Sequence, residues 1–374
     1  MGIRSQNGRH GVWREVAAVL AAVFGLFLID AAIFRTRLYS SFLEPNATAG
    51  ALDMACFLET SRKPSSAKQV LAFGDSRLGL LPALANPVGA SRGYEFATVG
   101  VGGSSPRTWY YMDRDLDPYA RRYAAILLPV DDYDDEDRQQ DPSDDIADLH
   151  YAITRLRLAD VLEFSASFPS WQHKWQAFRG SLFKGAVYKA DLHAFLLDPR
   201  ARFARVRLVR SQAATWARDF LPTARDVSGL AVDWAAWKIK VPPDAPPEVR
   251  RSLLEVLMRP VAPQTGSLAA YRRKWFGKIM QRYRGTATQV VFYRMPRTPI
   301  PRPDSLVTRR SSSIRQFPSH PNVRLLDEHA FDSLERPEFF QDALHLNREG
   351  EIRFSRLIAE RLLQALASPP ETHP

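Results

Sequence analysis

The stretch VAAVLAAVFGLFLIDAAIF, Val16–Phe34, limits this chain more than any other feature. As an α-helix rising about 1.5 Å per residue it measures about 28 Å, close to the hydrocarbon thickness of one bilayer. One crossing is therefore predicted, and no later segment sustains the roughly 18 apolar residues a second would need. Arg4, Arg9 and Arg14 precede the run and Arg35 and Arg37 follow it, a bias toward a cytoplasmic N-terminus. The competing reading is a cleaved signal peptide. The run is longer than most signal cores, however, and Ile29-Asp30-Ala31 is a poor small-x-small cleavage site. The expectation is an uncleaved single-pass anchor: residues 1–15 form a cytoplasmic tail, 16–34 cross the membrane, and the rest lies outside the cytoplasm.

The chain has 374 residues, 45% hydrophobic and 25% charged, enough to bury a core in one large domain or two smaller ones. Its 51 Lys and Arg outnumber 41 Asp and Glu, giving a net charge of +10. These cations are scattered, with neither zinc-finger spacing nor an RNA-binding motif, so no nucleic-acid partner is expected. Attraction to an anionic membrane or polymer fits them better. Cys56 is the single cysteine, which excludes an intrachain disulfide and a multi-cysteine metal site. No metal or cofactor is expected.

Residues 35–67 read as an ordered lead-in. Strand-like runs recur at Gln69–Phe73, Tyr94–Val99, Ala124–Leu128, Gln289–Tyr293 and Val323–Leu326. Ile352, Phe354, Leu357, Ile358, Leu362 and Leu363 follow helical spacing in the last helix. Short apolar strands alternating with helices predict a parallel sheet covered on both faces. From about 141 to 284 the alternation stops. Trp171, Trp175, Trp216, Trp234 and Trp237 mark a mostly helical insertion there, read either as a lid or docking surface or as ordinary helix packing.

Two short motifs can carry chemistry. In LAFGDSRLGLL, Ser76 follows a buried strand at a strand-to-helix turn and reads either as a side-chain oxygen exposed there with backbone N–H groups facing an anion, or, with Asp75, as an ordinary helix N-cap. In FFQDALHLNREG, Asp342 and His345 stand three apart before the final helix. His345 would take the Ser76 proton and Asp342 would fix the imidazole tautomer, the division of labour of nucleophilic acyl transfer.

With these blocks the chain resembles the SGNH (GDSL-type) hydrolase superfamily, and a third match is VGVGGSSPR. The resemblance implies a flavodoxin-like three-layer α/β sandwich over 68–367, with the insertion about 141–284 and a tail at 368–374. It also implies an oxyanion hole formed by the N–H groups of Ser76 and Gly103, with Gly100 and Gly102 as alternatives in register. Asp75, Arg77, Asp131 and Arg107 are carried as substrate-binding candidates. One block departs: where the family has Gly-x-Asn-Asp, this chain reads LLPVDDYDDED, and Asp131 aligns with the oxyanion asparagine. A bare carboxylate about 4 Å from a developing oxyanion costs on the order of 4 kcal/mol at an effective dielectric near 20. The run from Asp131 to Asp137 lacks the glycine and spacing of a calcium loop and reads as a solvated acidic loop.

The layout of anchor followed by SGNH-like domain is similar to that of the alginate acetylation proteins and the D-alanyl transfer protein of bacterial envelopes. It implies periplasmic O-acyl transfer or ester hydrolysis on an envelope polysaccharide, beside a membrane-bound O-acyltransferase. Arg294 or Arg297 in YRMPR would meet the anionic polymer or acyl donor, the alternative being that both are surface cations. Two other readings stand: a non-catalytic scaffold that binds glycan or docks the acyltransferase, and a lipid hydrolase.

Overall fold

The structure is a computed structural model. It describes residues 6–36, 38–78, 81–135, 142–219, 231–233, 238–240, 244, 246–247, 267–296, 312–336, 339–340 and 345–368. The chain forms two compact units, Met1–Asp53 with Leu149–Val209, and Met54–Asp148 with Arg210–Pro374.

The second unit is built on five strands: β1 (Lys68–Gly74), β2 (Tyr94–Gly100), β3 (Ala125–Val130), β6 (Gln289–Arg294) and β7 (Val323–Leu325). All pairings are parallel, in the order β2-β1-β3-β6-β7. Taken along the chain this is 2-1-3-4-5, the order of flavodoxin-type doubly wound sheets. Every residue of β3 is buried, as is the run Val70–Gly74 of β1. That is why these strands read as unbroken apolar runs rather than alternating ones. A short antiparallel hairpin, β4 (Ala231–Asp233) with β5 (Lys238–Lys240), stands apart from this sheet.

Helices cover both faces. On one, α3 (Leu81–Ala90) and the last helix, α11 (Arg348–Ala367), enclose Val70, Ala72, Leu127 and Val291. Phe354, Ile358 and Leu362 of α11 are at most 2% exposed, and each such side chain contributes about 1.5–3 kcal/mol of burial. On the other face lie α4 (Pro106–Leu116) and α10 (Ser267–Tyr283). Phe276 of α10 packs edge-on to Phe292 of β6 at 5.0 Å and meets Trp109 of α4 at 6.4 Å. The edge strand β2 is closed by Asn86, whose side chain accepts from Phe96 N at 2.6 Å and donates to Phe96 O at 3.3 Å.

The first unit combines α1 (Gln6–Phe34) with α6 (Val161–Ala166), α7 (Trp171–Leu182), α8 (Gly185–Leu197) and the start of α9 (Pro199–Asp219). Helices α2 (Thr48–Ser61) and α5 (Ala147–Ala152) carry the chain between the units. Within α1, Trp13–Phe34 is long and apolar enough to cross a membrane. The insertion expected at about 141–284 is divided differently. Leu149–Val209 belongs with α1, whereas α10 is a layer of the sheet unit, because Trp275 and Phe276 are buried against it. Part of the interruption is strand rather than helix, since it holds the β4–β5 hairpin. Trp234 and Trp237 lie outside the described residues.

Candidate active site

Ser76 stands two residues past β1, in a single 3-10 turn, Ser76–Leu78. The turn folds Leu78 back over the strand end, so a Cβ on Gly74 would meet Leu78 Cδ1 at 2.3 Å and force that side chain to move. Strand β1 is flanked by β2 and β3. In an order of this kind the crevice at the carboxyl ends of such strands is the topological switch point, where ligands bind. Ser76 follows β1, Gly103 follows β2 and Asp131 follows β3, so the strand order alone brings the three to one sheet edge.

His345 reaches the same edge from the other end of the chain. An antiparallel bridge between Phe340 and Leu346 closes its loop, and Asn347 N donates to Phe339 O at 2.7 Å. Asn347 then caps α11 by accepting from Gly350 N at 3.0 Å, which fixes the backbone two residues past the histidine. The outcome is a hydrogen bond of 2.7 Å between Ser76 Oγ and His345 Nε2. With Nε2 unprotonated the hydroxyl is the donor, the geometry a general base needs. Asp342 lies outside the described residues.

The second loop is fastened to the first. Val101 N donates to Gly74 O at 3.1 Å, and Ser104 Oγ donates to the same carbonyl at 3.0 Å. Gly103 adopts φ +74°, a left-handed conformation natural to glycine, at the turn closed by Ser104 N on Val101 O. Of the three glycine candidates Gly102 is seen to lie against the serine, since a Cβ there would stand 3.8 Å from Ser76 Cβ.

Asp131 does not face the site as a bare charge. Arg77 Nη1 pairs with it, while Arg77 Nη2 donates to Asp75 Oδ2 at 2.7 Å and Nε to Asp75 Oδ1 at 3.0 Å. Burial works against the guanidinium charge, but Asp131 and then Asp75 outweigh it and hold the Arg77 pKa above its ordinary value. One cation thus binds two carboxylates beside Ser76, and two of the expected substrate contacts, Asp75 and Asp131, are engaged through the third.

Three expectations are corrected. Arg107 is fully buried rather than open to substrate: it pairs with Asp148 at 3.2 Å and lies over the Tyr271 and Trp275 rings. The acidic run is not solvated from Asp132 to Asp135, and Glu136 and Asp137 lie outside the described residues. Asp132, Asp134 and Asp135 are buried, Asp134 pairs with Arg315, and Asp135 accepts from Ser313 N at 2.8 Å. Arg294, expected to meet an anionic polymer, is 1% exposed and pairs with Asp332 and Glu335. Arg297 lies outside the described residues. Among the described residues no cluster of His, Cys, Asp and Glu is arranged to hold a metal ion. A surface cavity of about 570 Å³, lined by Lys68, Tyr94, Gln289 and Arg324, opens at the opposite edge of the sheet, far from this chemistry.

Glu351 is a neighbour that sequence reading missed. It sits in the first turn of α11, 5% exposed, near enough to His345 for their charges to interact. Its Oε2 has no hydrogen-bond partner among the described residues. Burial pushes its carboxyl up to about 7, against a smaller opposing pull from His345. An acidic residue in a first turn reads as an exposed complement to the helix dipole, so nothing in the sequence marks it as buried. No protein-family model and no curated protein matches the chain.

Proposed function

We propose that this chain is a membrane-anchored SGNH-type serine enzyme that transfers or hydrolyses an O-acyl group on an envelope polysaccharide outside the cytoplasm. The observation that carries the reading is the 2.7 Å contact between Ser76 Oγ and His345 Nε2 at the switch point of a parallel sheet. Ser76 is exposed there, free to meet a substrate.

In the proposed reaction Ser76 Oγ attacks the acyl carbonyl carbon while His345 Nε2 takes the hydroxyl proton. The carbonyl π pair moves onto oxygen, where the N–H groups of Ser76 and of the Gly102–Gly103 loop stabilise it. Collapse breaks the bond to the leaving oxygen, which takes the proton from His345 and departs as an alcohol. An acceptor hydroxyl, or water, then attacks acyl-Ser76 with His345 again accepting a proton, and returns the serine. Asp342 orients His345 in this scheme. The Arg77 bridge supports it by neutralising Asp131, which otherwise would oppose the oxyanion. Span length and hydropathy of Trp13–Phe34 support the anchor. The polysaccharide acceptor and the membrane-bound O-acyltransferase partner rest on resemblance of layout.

A fluorophosphonate probe on the full-length chain in detergent tests the nucleophile. Covalent labelling is expected on Ser76 and lost in Ser76→Ala. A folded wild-type chain that takes no label, together with unchanged polymer acylation in cells carrying Ser76→Ala, overturns the enzyme reading in favour of a scaffold.

A further inference from the structure

We infer that helix α7 and its junction with α8 form a second membrane contact, an aromatic stripe that lies in the headgroup layer of the bilayer beside the anchor. The inference rests on the reading of α1 as a membrane span. The junction is seated on the outer third of that helix. Phe183 packs edge-on against Phe27 with ring centroids 6.0 Å apart. Asp30 accepts from Lys184 N at 3.0 Å and from Gly185 N at 2.7 Å, so it caps α8 rather than facing lipid as a lone charge. Arg35 donates to the carbonyls of Ser181 and Leu182 at the end of α7, the latter at 2.9 Å. Gly185 fits closely there, because a Cβ would meet Asp30 Oδ1 at 2.8 Å and the Phe34 ring at 2.9 Å.

These contacts set an upper bound on how far the stripe can rise. At about 1.5 Å per residue Phe27 lies about 10 Å inside Phe34, the outer end of the span. From Phe183 back along α7, Trp175 is at most about 12 Å away and Trp171 about 18 Å. Even if α7 rose straight along the bilayer normal, Trp175 would clear the level of Phe34 by only about 2 Å and Trp171 by about 8 Å. The headgroup layer is about 5–7 Å deep on each side, so Trp175 stands no higher than this layer and Trp171 no higher than about its rim.

The stripe suits that place. Trp171, Trp175, Phe178 and Leu182 follow i, i+4, i+7, i+11 on one helix face, and Trp175 stacks on Phe178 at 5.8 Å. Trp171 is 79% and Trp175 54% exposed, so the described residues leave both rings open. Tryptophan is the residue of the membrane interface, an apolar ring with one polar edge. Leu149–Val209 carries ten Lys and Arg against four Asp and Glu, the charge balance that phospholipid phosphates attract.

The test uses the full chain in nanodiscs of phosphatidylcholine and phosphatidylglycerol, with an environment-sensitive fluorophore on Trp171→Cys, Trp175→Cys or Leu20→Cys. Native Cys56 is 1% exposed and stays unlabelled. Quenching by phosphatidylcholine with a doxyl group high on the acyl chain should lower emission at positions 171 and 175 at least about twofold, and a deep doxyl group should quench position 20. Quenching at 20 but none at 171 or 175 overturns the stripe; that result is expected if the face is reserved for a membrane protein, because it would stay wet in pure lipid. Absence of quenching at 20 overturns the anchor itself.

Discussion

Two polar clusters in the sheet unit are written in nearly the same residues and have different surroundings. GDSR places Ser76 beside His345, with Arg77 bridging Asp75 and Asp131. SSPR places Ser105 beside Asp148, to which it donates at 2.7 Å, with Arg107 pairing the same carboxylate and the Tyr271 hydroxyl 2.7 Å from Ser105 Oγ. The first serine is exposed and its partner is an imidazole nitrogen; the second is 7% exposed and its partner is a carboxylate already engaged by a guanidinium. Burial pushes Asp148 up to about 6, against the smaller opposing pull of Arg107. On the proposed reading, residue type does not separate a nucleophile from a structural hydroxyl. Access to solvent and the chemical nature of the partner do.

The largest effect expected from this contrast is on labelling. Ser76→Ala should lower fluorophosphonate reactivity and acyl transfer at least about a thousandfold. Ser105→Ala should keep the reactivity and lose about 1–2 kcal/mol of stability in urea denaturation. Labelling that follows Ser105 would break the comparison. Next comes Arg107→Met, which strands Asp148 in the interior. A loss of about 3–5 kcal/mol is expected for breaking one side of a buried pair; a loss under about 1 kcal/mol would mean the cluster is not the structural one.

A smaller and pH-dependent effect belongs to Glu351. Its folded carboxyl titrates at about 7, above the ordinary value of 4.5. Between those values the folded state binds more protons than the unfolded one, so stability falls as pH rises from 4.5 to 7. Glu351→Gln should remove this slope. It should gain on the order of 2 kcal/mol at pH 8, and nothing near pH 4. Denaturation curves that differ equally at both pH values would show that the carboxyl is not held neutral by burial.

The sheet was legible in the sequence and much of the polar interior was not. Each strand begins and ends within two residues of its expected place, because strands buried on both faces must be apolar throughout and glycine marks two of their ends. Ser76 and His345 were legible as motifs. The Arg77 bridge was half visible: Arg77 is adjacent to Ser76, but Asp131 joins it only because β3 lies beside β1. Asp148 and Tyr271 meet Ser105 across 43 and 166 residues of chain, and no local pattern records such a meeting. The burial of Asp134, Asp135 and Arg294 was hidden for the same reason: a charged side chain reads as exposed until its distant partner is known.

The smallest expected effect is the sharpest. If Asp131 met the oxyanion unscreened, on the order of 4 kcal/mol would oppose the transition state. Asp131→Asn, which restores the asparagine expected at this point, would then raise kcat/KM on the order of a thousandfold. With Arg77 holding the carboxylate, substitution removes one negative charge and weakens one cation's pairing, two changes of opposite sign at the same edge. The rate should stay within about tenfold of wild type. Arg77→Met separates the two contributions, since it leaves Asp131 without this cation and should cost more than Asp131→Asn does. In the double variant the Arg77 substitution should cost less than it does alone. A double-mutant cycle in kcat/KM measures this coupling directly. Additive effects would show that Arg77 does not screen Asp131, and would return the carboxylate to the oxyanion's side of the argument.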